Sequence, residues 1–142
     1  MTVWAPVGYL ESAFGHISVD VNGTAYSLGP NGMFVEPAMH YEQRNEQFRG
    51  GTVYDLHLSP ELEEALDRYL RRPQGDYHFI QNNCGDPVGR FVRGAFGTRE
   101  ADKLTPGALG GLSRRSGLVR CTRRVRPGIL RMRAGECGPN QP

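Results

Sequence analysis

The stretch Asn82-Asn83-Cys84-Gly85-Asp86-Pro87 constrains this chain more than any other. Pro87 has no backbone N–H to donate, so it is tolerated only in the first turn of a helix. Beyond it, Val88, Phe91, Val92, Ala95 and Phe96 recur at helical spacing and predict one buried stripe. A helix therefore starts almost on Cys84, at or next to its N-cap, with Asn82 or Asn83 offering the capping oxygen. Just upstream, Tyr77–Ile80 reads as a short apolar strand.

A thiol at a helix start sits where unpaired backbone N–H groups converge and the helix dipole is positive. That placement lowers a cysteine pKa, and the thiolate is the reactive species. The same N–H groups suit a developing oxyanion. The competing reading is a small buried hydrophobe, a common fate of free cysteine. The residues alone leave both readings open.

With 142 residues the chain has room for one core. We read a single domain over 1–134 and a disordered tail over 135–142. No apolar run reaches the length of a membrane span. The first residues, Met1-Thr2-Val3-Trp4-Ala5-Pro6, show no signal-peptide pattern. Charge is uneven: residues 1–113 hold 9 Lys/Arg against 14 Asp/Glu, whereas residues 114–142 hold 8 Arg against Glu136 alone. The basic segment suits either an anionic membrane surface or a solvated edge strand whose arginines block further pairing. The acidic remainder argues against nucleic acid as a partner. Cys84, Cys121 and Cys137 lack metal-ligand spacing, so neither metal nor cofactor is expected. A Cys121–Cys137 pair would leave Cys84 as the single free thiol.

In chain order, residues 3–14 read as irregular. Gly15–Val21 alternates polar and apolar residues, Asn22-Gly23 is a strong hairpin signal, and Thr24–Leu28 is the returning strand. Residues 29–51 look like a long polar excursion. Thr52–Leu58 alternates again as a third strand, with His57 on its exposed face. Ser59-Pro60-Glu61 opens a helix whose stripe is Leu62, Ala65, Leu66, Tyr69 and Leu70, ended by Pro73 and Gly75. Further on, a short helix over 105–112 and strands over 118–125 and 129–132 are expected.

A thiol nucleophile needs a base and a polar group to orient that base. His16, His40, His57 and His78 are the candidates, and His16 opens the first hairpin. Gly15-His16, the Tyr26-Ser27-Leu28-Gly29-Pro30 return strand and Asn83-Cys84 at a helix start, in that order, resemble the circularly permuted papain-like superfamily. The branch is the permuted NlpC-type one, which includes lecithin:retinol acyltransferase-like enzymes. The resemblance spans roughly residues 9–96.

It implies an α+β fold in which a small antiparallel sheet packs against the cysteine helix and one or two further helices. It also implies a catalytic Cys84–His16 pair with Ser27 as third residue. Several family members place a histidine where this chain has Tyr26 and Ser27, so Asp20, His40 or a backbone carbonyl remain alternatives. Asn83, Tyr26 and His40 are the expected substrate contacts. The implied activity is acyl hydrolysis or transfer through a thioester, on membrane phospholipid esters or on cell-wall peptides. Short domains of this resemblance occur as bacterial toxins, which implies a monomeric secreted effector acting in a target cell, with an immunity protein as partner. An intracellular housekeeping enzyme and a non-catalytic binding module are the other readings.

Overall fold

The computed structural model describes residues 1–8, 13–97, 106–107, 111 and 117–128. Six strands form one antiparallel sheet: β1 (Thr2–Trp4), β2 (His16–Val21), β3 (Thr24–Gly29), β4 (Gly32–Pro37), β5 (Gly51–Leu56) and β6 (Val119–Val125), in the spatial order β4-β3-β2-β1-β5-β6. Among the described residues three helices cover it: α1 (Ala38–Glu46), α2 (Pro60–Leu70) and α3 (Asp86–Phe96). The α+β class expected from the sequence is what the chain adopts.

The β2–β3 hairpin forms where Asn22-Gly23 places it, both residues at positive φ (50° and 76°), as a two-residue turn of this hand requires. Asp20 reinforces it by accepting a 3.0 Å hydrogen bond from the Gly23 N–H. The hairpin's alternation gives the sheet two buried faces. Ile17, Val19, Val21 and Tyr26 pack with Leu66 and Leu70 of α2 and with Cys84, Val88 and Val92. On the other face, Trp4, Ala25, Val53 and Val125 pack with Ala38 and Tyr41 of α1. The sheet is thus the middle layer between α1 and the α2–α3 pair.

Residues 3–14 are not uniformly irregular. Thr2–Trp4 forms a central strand between β2 and β5, pairing Trp4 with His16 on one side and with Gly51 on the other. Three residues are too few to display an alternation, so burial alone reveals this strand. The polar excursion over 29–51 is also structured: Gly32–Pro37 returns as β4, and α1 follows. Helix α1 carries a narrow stripe, with Ala38, Tyr41, Asn45 and Glu46 buried, and Asn45 and Glu46 are polar.

Helix α2 starts as its sequence dictates, with Ser59 Oγ accepting from the Leu62 N–H at 3.4 Å and Pro60 in the first turn. Its Leu66 and Leu70 are the buried residues. Helix α3 ends on Gly97 in the left-handed conformation. Its stripe runs through Val88 and Val92 and then fails, because Ala95 and Phe96 are exposed. The expected Tyr77–Ile80 strand is a turn instead. His78 and Asn82 close it through paired backbone bonds of 3.0 and 2.9 Å, leaving Phe79 and Ile80 outward.

Among the described strands β6 is the outermost beyond β5, and its Arg120 and Arg124 are exposed, as on a protected edge strand. The expected 129–132 strand and the tail over 135–142 lie outside the described residues, as does most of the 105–112 helix. None of the described helices is long and apolar enough to cross a membrane.

Trp4 is 1 % exposed at the centre of one core, while Phe34 on the outer strand β4 is 42 % exposed. Trp4→Ala is expected to cost about 3–5 kcal/mol. Phe34→Ala should cost less than about 1 kcal/mol. Equal shifts of the two denaturation midpoints would refute the central placement of β1.

Candidate functional site

Gly15 holds a left-handed conformation (φ 89°), and a Cβ there would come within 2.7 Å of the Trp4 carbonyl oxygen. That close approach delivers the chain into β2 and sets His16 at the strand's first position. The alternation of β2 turns His16 with Ser18 and Ser27 toward the α1 face.

His16 Nε2 lies 2.5 Å from Ser27 Oγ. Ser27 Oγ in turn donates to the Ile17 carbonyl at 3.1 Å and accepts from the Tyr41 hydroxyl at 2.9 Å. A hydroxyl has one proton and two acceptor positions. When the Ser27 proton is on Ile17 O and Tyr41 fills one acceptor position, Ser27 accepts from the His16 tautomer that carries its hydrogen on Nε2, and the lone pair is then on Nδ1.

Cys84 arrives from the opposite layer. Gly85 is the helix cap, so the thiol stands one residue outside α3. Asn83 Oδ1 accepts from the Gly85 N–H at 2.8 Å, and the Asp86 carboxylate accepts from the Asn83 N–H at 2.6 Å. These bonds fold the turn that brings Cys84 to the sheet. Its sulfur is met by the Ile17 N–H and by its own backbone N–H. The thiol thus lies against the peptide that joins His16 to Ile17, at the end of β2 where the two layers meet.

Burial dominates the titration of both groups. It pushes the Cys84 thiol up to about 11, with Asp86 adding to the rise, while the Ile17 and Cys84 N–H groups and Arg49 oppose it. Burial also lowers His16 to about 4, assisted by the positive charge of Arg49. The expected depression of the thiol pKa by the helix start is therefore outweighed by desolvation. At neutral pH the thiol and the imidazole are therefore both uncharged.

The remaining expected residues take other places. Ser27 is the polar partner of His16, and Asp20 is occupied in the hairpin turn. Tyr26 faces the other layer, 2 % exposed, and its hydroxyl donates to Asp67 at 2.5 Å, so it braces β3 against α2 and does not line the site. His40 is exposed on α1, one position from the buried Tyr41. Asn83 shapes the turn, and Asn82 stitches that turn to the Gln74 and Asp76 carbonyls at 2.9 Å each. His57 and His78 are exposed; His78 Nδ1 accepts from the Ile80 and Gln81 N–H groups in its own turn. Cys121 is disulfide-bonded and Cys84 is a free cysteine, while Cys137 lies outside the described residues. No cluster of three or more metal-ligating side chains occurs among the described residues.

Two participants were not foreseen from the sequence. Tyr41 anchors Ser27, and Arg49 sits close enough to act on both His16 and Cys84. Their signal was the spacing Ala38, Tyr41, Asn45, Arg49, which follows one helical face and its extension. No protein-family model, curated protein or solved structure matches this chain.

Because His16 titrates near 4 when folded and at 6.5 as a free side chain, the unfolded state binds the extra proton between those values. Stability should therefore fall as pH drops from about 6.5 to about 4, by at most about 3 kcal/mol from this group. Urea titrations of wild type and His16→Asn across that range should diverge at low pH, with the variant losing less. Parallel curves would refute the buried neutral imidazole.

Proposed function

We propose that the chain is a thiol-dependent acyl hydrolase or acyltransferase of the permuted papain-like kind, with Cys84 as nucleophile, His16 as base and Ser27 as the residue that orients it. The observation that carries this reading is that Ser27 engages Nε2 of His16 at the strand start where the next residue, Ile17, meets the Cys84 thiol through its backbone N–H. The S–H bond breaks as its proton moves to Nδ1, and the sulfur attacks the substrate carbonyl, whose electron pair moves onto oxygen. Collapse expels the leaving alcohol or amine with the proton from His16 and leaves a thioester. Water or an acceptor alcohol or amine then resolves the thioester. Starting from a neutral pair, proton transfer accompanies attack, which suits general-base catalysis.

Lipid esters are the favoured substrate, with membrane phospholipid as the source. Phe14 and Phe79 are 60 % and 41 % exposed, their rings 5.4 Å apart, and Ile80 beside them is 68 % exposed. They stand on the two loops that precede His16 and Cys84, and this exposed apolar cluster is a suitable surface for acyl chains. A bacterial toxin acting in a target cell, with an immunity protein to restrain it, is the biological setting proposed. A second reading, a binding module with an inert thiol, draws on the raised Cys84 pKa.

Lipid mass spectrometry of bacteria expressing wild type or Cys84→Ala tests the choice. Lysophospholipid and free fatty acid appearing only with wild type is the expected outcome. Unchanged lipids with retained toxicity would move the substrate to cell-wall peptides. Unchanged lipids without toxicity would favour the binding module.

On a soluble ester, His16→Ala should lower kcat/KM by about 10²–10⁴-fold. Ser27→Ala should lower it about fivefold, the equivalent of roughly 1 kcal/mol for one hydrogen bond. Phe79→Ser should raise KM for vesicle lipid and leave turnover of the soluble ester near wild type. Equal losses on both substrates would remove the cluster from substrate binding.

A further inference from the structure

Arg49 occupies the link between α1 and β5 and is 7 % exposed. The partners that hold it are neutral. Its Nε and Nη2 both donate to the single side-chain oxygen of Asn45, whose own amide is anchored on the Tyr41 carbonyl at 2.8 Å. The guanidinium carbon lies 5.5 Å from the Trp4 ring centroid and 5.2 Å from that of Phe48. The remaining nitrogen, Nη1, is buried without a hydrogen-bond partner.

A buried guanidinium keeps its charge, and desolvating it costs several kcal/mol unless an anion answers it. An unsatisfied buried donor on such a group is suited to answer an anion formed near it. Strand pairing shows which groups lie near it. Trp4, on which Arg49 stacks, pairs with His16 in one neighbouring strand and with Gly51 in the other, two residues beyond Arg49. The guanidinium is thus held at the His16 end of the sheet, where Cys84 also arrives.

We propose that Arg49 is the fixed counter-charge of this site, an electrostatic positioning residue that stabilises the anionic form of Cys84 and keeps His16 in its neutral, proton-accepting form. The proposal rests on the thiol reading above and adds to it the source of the site's field. Other charged or titratable groups lie around it: Asp86, in the first turn of α3, opposes the thiolate, the Tyr41 phenol lies on the α1 side, and Glu46 is a buried acid at the end of α1, three residues before Arg49. Arg49 acts on both members of the pair in the same sense, favouring loss of a proton from each. It widens the range over which the imidazole is a free base and counters part of the burial cost of the thiolate.

Packing and charge make opposite forecasts, which gives a clean test. If Arg49 only keeps water out, its loss raises the His16 pKa and lowers that of Cys84, because both relax toward solvent values. If Arg49 supplies charge, its loss raises both. The experiment compares wild type, Arg49→Met and Arg49→Lys, with Arg49→Gln replacing the methionine variant should that fail to fold. His16 is titrated by NMR, its signal assigned with His16→Asn, and Cys84 by the pH dependence of iodoacetamide alkylation, read on its own peptide.

The expected result is that both midpoints move up by about one unit in Arg49→Met, and by clearly less in Arg49→Lys. A rise at His16 with a fall at Cys84, identical shifts in the two variants, or no shift in either group would each overturn the counter-charge. Failure of wild-type Cys84 to alkylate at any pH would instead overturn the nucleophile reading, while the His16 titration would still decide whether Arg49 acts by charge.

Discussion

The site hangs on Trp4. Its ring fills the core between the sheet and α1, its indole N–H donates to Ser18 Oγ at 2.9 Å, and its backbone pairs with His16 and Gly51 on either side. Arg49 lies over the same ring. One side chain thereby ties together the strand that bears the imidazole, the strand that follows the buried cation and the helix layer that anchors Ser27. Gly15 completes the arrangement, since the His16 strand can approach the Trp4 carbonyl only where no Cβ intervenes.

Two layers meet at the start of β2, and the chemistry follows from that junction. The α1 side supplies a saturated polar chain from Tyr41 through Ser27 to His16. The α3 side supplies a thiol whose backbone is held by an Asn83–Asp86 turn. Burial makes both groups neutral at rest, so the site's field depends on its few remaining charges. Asp86 and Arg49 act on the thiol in opposite directions, and burial outweighs the help from Arg49 and the nearby N–H groups. The arrangement holds a neutral imidazole and a protonated thiol in place of a preformed ion pair.

Local chemistry made part of this legible. Asn22-Gly23 dictates its own turn, Ser59-Pro60 its own helix start and Gly97 its own helix end, because each acts through backbone preferences that neighbours cannot override cheaply. Cys84 beside a helix start and His16 on a strand emerged from the same reading. The third residue was harder: what Ser27 can do for His16 depends on Ile17 O and Tyr41, which share its hydroxyl and come from elsewhere in the chain. The Tyr77–Ile80 stretch misled because its composition is apolar, yet the His78–Asn82 closure turns Phe79 and Ile80 outward.

The sequence by itself determined the hairpin, helices α2 and α3, the position of the thiol at a helix start and the four histidines from which a partner for it could be drawn. These are short-range consequences of turn chemistry, capping and periodicity. Only the tertiary structure decided that Thr2–Trp4 is the central strand, that the polar 29–51 segment holds β4 and α1, and that Arg49 sits buried against Trp4. Strand pairing and the burial of a charge depend on groups distant in the chain, and no local pattern encodes which distant partner will be there. The balance of the thiol's environment belongs to the same category: the helix start favours the thiolate, and the depth at which the sheet buries it outweighs that preference.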